Sequence, residues 1–329
     1  MLRISYFINR IKLYESTTKN IHNFSLNPIQ MTHNTYIKFN YMFKKIFLGS
    51  LILLSFSAVA TQTMAGERLL TTGGVMQIEG SAGGGLTPWA LIAGYGTREE
   101  IGGSSFYTHA RTQGGFEMNL AGVALGFNNR VEISYSHQRL GLSDTVPGEH
   151  IRMHTLGAKV RLFGDAVYDQ DSWIPQVSAG MQLKHNVDFD KVPKALGAES
   201  ATGVDLYLSA TKLYLAAIGG RNLLLNATLQ ATKANQFGLL GFGGDKHDNY
   251  QLEPAASAAL MLTDNLLIGT EYRARPNNLS SFKEDDAKDL FVAWFPARYL
   301  ALTAAYVDLG TIANKDNQKA WYLSGQLSY

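Results

Sequence analysis

Eight charged residues have the type and spacing to act together: Glu132, Lys159, Arg161, Lys184, Asp205, Glu253, Glu271 and Arg273. Each lies in a run where apolar and polar residues alternate, so each shares a face with polar neighbours. Charges drawn together on such a face must be paired or hydrated. Lys159, Arg161 and Lys184 come from neighbouring segments, and Glu253 and Glu271 from another neighbouring pair. Two chemistries follow. The charges form ion pairs that fill a narrow interior, or a basic wall faces an acidic wall across water and orients small polar solutes.

Nucleophilic chemistry has weaker support. Ser136 and His137 are adjacent on an alternating run, so they point to opposite faces and cannot form a nucleophile–base pair. His109, His150, His154, His185 and His247 fall in or near polar connections, with no paired motif to single one out. Leu323-Ser324-Gly325 lacks the preceding glycine of a nucleophile elbow. We assign no catalytic residue and expect no enzyme; a barrel hydrolase is the lesser alternative. The run Glu284-Asp285-Asp286-Ala287-Lys288-Asp289 lacks the spaced oxygens and turn glycine of a calcium loop and reads as a solvated charge run. No metal site or cofactor is expected. The segment Phe237-Gly238-Leu239-Leu240-Gly241-Phe242-Gly243-Gly244-Asp245 is too apolar for an exposed loop, so it folds inward as a plug or meets a partner.

The elements that position these residues are short strands. The chain ends on Trp321-Tyr322-Leu323-Ser324-Gly325-Gln326-Leu327-Ser328-Tyr329, where Trp321, Leu323, Leu327 and Tyr329 share one parity. A strand running to a terminal aromatic suits an outer-membrane barrel, whose last strand closes against its first. These four residues are the expected signal for the barrel-assembly machinery. Alternation over 87–96, 116–127, 130–140, 151–162, 174–186, 203–215, 223–235, 250–262, 266–275, 288–295, 299–308 and 319–329 predicts twelve strands. Short turns alternate with longer polar loops, apart from a longer connection at 163–174. The parity of Phe116, Met118 and Leu120 differs from that of Val123, Leu125 and Phe127, which predicts a bulge. Aromatics near strand ends, including Trp89, Tyr95, Trp173 and Tyr299, suggest interfacial girdles.

Met42-Phe43-Lys44-Lys45, an apolar run to Ala60 and the small residues before Gly66 read as a signal peptide over 42–65. We expect the start at Met42, residues 1–41 to be an over-extended reading frame, and 66–329 to be the barrel. The whole chain has 29 Lys+Arg and 27 Asp+Glu; residues 1–65 hold seven of the former and one of the latter, leaving 22 against 26. The basic balance therefore belongs to the targeting segment, and no footprint for nucleic acid remains. There is no cysteine, which suits a chain crossing an oxidising compartment.

The runs Thr87–Arg98, Ala158–Asp169, Asn235–Asp245 and Phe291–Pro296 carry a resemblance. From about Glu79 to Tyr329 the chain resembles an uncharacterised family of Gram-negative outer-membrane proteins. The resemblance implies a secreted barrel and brings no functional residues. The expectation is an all-β fold: an antiparallel up-and-down transmembrane β-barrel of about twelve strands in the bacterial outer membrane. Its neighbours would be outer-membrane lipid and lipopolysaccharide. Its expected role is passive passage or binding of small polar solutes. A structural or adhesive barrel with a plugged lumen is the alternative.

Overall fold

A computed structural model describes residues 68–313 and 315–329. The expected signal peptide and the 1–41 extension lie outside the described residues. A short hairpin comes first, made of β1 (Val75–Met76) and β2 (Ala82–Gly83). Twelve antiparallel strands then close into one barrel: β3 (Ile101–Thr112), β4 (Glu117–Phe127), β5 (Val131–Gly141), β6 (His150–Phe163), β7 (Gln176–Asn186), β8 (Thr202–Ile218), β9 (Arg221–Thr232), β10 (Gln251–Thr263), β11 (Leu266–Arg273), β12 (Ala287–Ala297), β13 (Leu300–Asp308) and β14 (Lys319–Ser328). β14 pairs with β3 from Ala320↔Thr112 to Ser328↔Ser104, which seals the sheet and removes its edges.

The order of exposure is inverted relative to a water-soluble protein. The outward side chains Leu206, Leu229 and Leu323 are 53%, 48% and 57% exposed, while the inward Thr155, Ser178 and Gln182 are at 0%. A sheet that hides its polar face and presents its apolar one is built for a lipid surround. Tight turns join strands at one end, apart from the longer β6–β7 connection at 164–175. In the three-residue turn 128–130, Asn128 and Asn129 both adopt left-handed φ, 56° and 48°, and Arg130 N–H closes the turn on Phe127 O at 2.9 Å.

The first predicted strand is misplaced. Residues 87–96 are not in the wall; they belong to an irregular segment, 68–96, that is buried inside the barrel apart from residues around Leu69–Thr71. That segment carries the two rungs of the β1–β2 hairpin. The twelfth strand is instead 101–112, read from sequence as a loop. Its outward face carries Ser105, His109 and Arg111 and its inward face Phe106 and Ala110, so alternation of hydropathy is lost. The predicted bulge in β4 is absent: pairing with β3 and β5 runs without a shift. Phe116 and Leu120 point inward because the lumen at their level is filled by protein rather than water. Trp89 and Tyr95 are likewise buried in the inner segment, not set in a girdle.

Candidate functional site

The lumen side chains close on the inner segment, which acts as a plug. Lys159 Nζ donates to the carbonyls of Ala82 and Leu91, both at 2.8 Å, and lies 3.2 Å from Glu132 Oε1. Glu132 in turn accepts from the backbone N–H groups of Ala82 (3.1 Å) and Ala93 (2.9 Å). Lys184 Nζ bridges two carboxylates, Glu79 of the plug and Asp205 of β8. Arg273 reaches the same Glu79 from β11 at 2.7 Å and donates to Leu86 O at 2.9 Å. Asp205 is completed by Gln230 (3.0 Å) and Thr232 (2.6 Å). All of these groups are buried, so each charge is matched where water is scarce.

Around the wall the plug backbone is met one group at a time. Thr228 Oγ1 and Ser209 Oγ donate to Pro88 O at 2.8 and 3.1 Å. Gln176 and Ser178 donate to Ala90 O, whose residue N–H donates to Thr211 Oγ1 at 2.8 Å. Glu271 accepts from Leu86 N at 2.7 Å and from Thr87 Oγ1. An irregular backbone buried this way needs such partners for every polar group. The approach is close enough to demand glycine: a Cβ on Gly84 would lie 2.0 Å from Glu271 Oε1. At the plug's other flank a cavity of about 360 Å³ remains, lined by Val75, Trp89, Leu213, Leu224, Met261 and Phe291.

The expected charge cluster is therefore brought together in part. Glu132, Lys159, Lys184, Asp205, Glu271 and Arg273 all face the lumen and all serve the plug. Arg161 does not join them: it pairs with Asp165 at 2.8 Å within the 164–175 connection. Glu253 stands apart, half buried at the end of β10 away from the tight turns. Two separate walls facing across water are not what forms, because Glu79 draws Lys184 of β7 and Arg273 of β11, four strands apart, into one network. Sequence reasoning missed Glu79, Gln77, Thr87 and Trp89. The available signals were the Gly80–Gly85 run and the unbroken apolar stretch Ala90-Leu91-Ile92-Ala93, apolar on both parities as a segment buried on all sides must be.

A second closure sits at the far end. The Gly-rich loop folds inward, and Leu239, Leu240 and Phe242 pack with Phe116, Ile151 and Met153. Gln236 and Phe237 hold left-handed φ of 47° and 62°, a strained conformation costing roughly 1–3 kcal/mol per residue that surrounding contacts must offset. Arg273 and Arg275 lie over the Phe237 ring at 4.8 and 5.1 Å. The acidic run, expected from sequence to be a solvated charge run, is instead partly drawn into this closure. Glu284 is buried and accepts from Gln236 N at 2.8 Å, and Asp285 accepts from Thr311 N and Oγ1 at 3.0 and 2.9 Å. Burial pushes the Glu284 carboxyl up to about 7, against the opposing pull of Arg275 3.6 Å away. Ser136 is buried in the lumen and His137 lies on the outer face, as their adjacency required.

The fold is similar to the KdgM porin, with a TM-score of 0.44 and 9% identity over 69% of this chain and 99% of that one. It is also similar to the outer membrane protein Omp33 of Acinetobacter baumannii (TM-score 0.40, 11% identity, 70% and 97% covered). A third likeness is to outer membrane phospholipase A of Escherichia coli (0.36, 10%, 69% and 92%). Likenesses this remote carry neither a solute nor an activity across. No curated protein matches the sequence. A family model described as protein of unknown function (DUF3034) matches residues 72–326, and the chain belongs to that family.

Proposed function

We propose that the protein is an outer-membrane barrel closed at rest by its own residues 68–96, which binds or passes small polar solutes when that segment moves. The carrying observation is how the plug is held. From β5 round to β11 the wall grips it through hydrogen bonds and ion pairs, which water or a polar solute can replace group for group. The cavity beside Val75 and Trp89 leaves space for such a shift. The exposed apolar face supports a bilayer location, with outer-membrane lipid and lipopolysaccharide as neighbours. Trp321 and Leu323 are fully outward on the closing strand, with Leu327 and Tyr329 partly exposed on the same parity, which supports their proposed role as the assembly signal. A permanently closed structural or adhesive barrel is the second reading. The buried Glu79–Lys184–Arg273 network favours it, since separating buried partners is costly.

Single-channel recording in planar bilayers separates the two. Full-length protein should be silent or open rarely, and a variant lacking 68–96 should conduct. Steady open-pore conductance by the unaltered protein would reject the resting plug. Silence from both proteins, each folded by heat-modifiable mobility, would leave only the closed scaffold.

A further inference from the structure

On the outward face of β3–β7, three apolar rungs are followed by two basic ones. The first crosses His137↔His154↔His185 in direct register, and the second sets Arg139 opposite Arg152. Like charges placed directly across a strand pair repel, so this arrangement needs an anion. The chain supplies only one of the two required. Asp188 takes Arg152 in a two-pronged contact at 2.8 and 2.9 Å. Arg139 is exposed and forms no ion pair among the described residues. Five of the chain's eight histidines, counting His109 and His150, lie on this side and at this end. Directly below is Tyr135, whose hydroxyl lies 2.7 Å from His154 Nδ1, and below Tyr135 come Ile133 and Val131, both exposed. The rungs thus sit where the apolar band gives way to the polar end bearing the long loops.

We propose that this patch binds the phosphate groups of lipopolysaccharide in the outer leaflet. The guanidinium fork of Arg139 and the imidazole N–H groups offer convergent donors to a phosphate. The apolar rungs below would accompany the acyl chains. The proposal rests on the barrel lying in the outer membrane with its long loops outside. On the opposite wall the outward rung at this end alternates in sign, with Lys288 opposite Asp308 and Asp308 opposite Lys319, so an acidic residue of the chain already stands between its two lysines.

The test titrates full-length protein in detergent micelles with diphosphorylated lipid A and with the same lipid stripped of phosphate, counting bound lipid by native mass spectrometry. The phosphorylated form should bind at least about tenfold tighter. Arg139→Gln combined with His137→Gln should abolish that preference, and Lys288→Gln on the opposite wall should keep it. Equal binding of both lipids by the unaltered protein overturns the proposal, and so does displacement of lipid A by an equal concentration of inorganic phosphate, which would mark a soluble-anion site. Outer-membrane fractionation of the same proteins checks the location separately. Lipid preference without that location would sink the membrane reading and leave a lipid site; the location without preference would sink the site alone.

Discussion

Lys184 is the side chain on which the plug depends most. It is fully buried between Glu79 and Asp205, and among the described residues no other lysine pairs with either carboxylate. Replacing it by Met leaves two carboxylates facing each other, with Arg273 left to neutralise Glu79 and nothing for Asp205 beyond neutral donors. The expected cost is about 3–5 kcal/mol, read as a lower melting temperature in detergent. Arg161→Gln should cost far less, because its partner Asp165 is partly exposed and lies outside the lumen network. Similar losses from the two changes would mean that the lumen is wet and the network weak. Sequence parity correctly turned Lys184, Asp205 and Arg273 inward. Their common partner was not legible, because Glu79 sits in an irregular segment where no period marks which way a side chain points.

At the level of the strand, the same parity argument forecasts which substitutions the barrel tolerates. Arg at Leu206 or Leu229 would put a charge against lipid, at roughly 2–4 kcal/mol near the midplane. Arg at Thr228 should be no milder, since Thr228 is buried and donates to Pro88 O. The plug removes the tolerance that a water-filled lumen would give. Folded yield on heat-modifiable gels checks this, and near-normal yield for Thr228→Arg would show the plug to be easily displaced. Eleven of the twelve strands were readable because lipid on one side and polar contacts on the other impose a period of two. β3 was not, because its outward face enters the basic patch and its inward face packs on the plug, which reverses the expected pattern at both surfaces.

The closing strand adds a test of its own. Tyr329 exchanges backbone hydrogen bonds with Gly103 (2.8 and 3.0 Å) and its carbonyl also accepts from Tyr95 N at 2.8 Å. Deleting it therefore removes a rung of the closure as well as the aromatic mark. Tyr329→Ala keeps the backbone bonds and loses only the ring. If the ring is the assembly signal, both variants should leave unfolded protein in the periplasm. Wild-type yield for the alanine variant, with loss only on deletion, would assign the residue to closure instead.

For the molecule as a whole, the two closures differ in what can open them. The plug is held by ion pairs of carboxylates with lysine and arginine, whereas the cap, the closure made by the Gly-rich loop, rests on Glu284, a buried carboxyl raised to about 7 from the usual 4.5. A folded value raised above the unfolded one means that the folded cap binds the extra proton between these limits. Its contribution is therefore complete below about pH 4.5, declines as pH rises, and is lost by about pH 7. The difference is on the order of 3 kcal/mol, at about 1.4 kcal/mol for each tenfold change in proton affinity. Asp285, held below the ordinary carboxylate range by Thr311, acts in the opposite sense but only under more acid conditions. Hydrogen exchange at Leu239–Phe242 should accordingly quicken, beyond its intrinsic dependence on pH, between about pH 5 and about pH 7. Glu284→Gln fixes the neutral form, keeps an acceptor for Gln236 N–H, and should flatten the response while leaving exchange in β5–β9 unchanged. A cap that loosens equally in both proteins would place its pH response elsewhere. If only the unaltered protein responds, the end bearing the long loops is the closure that yields first as pH rises, with the plug still in place beneath it.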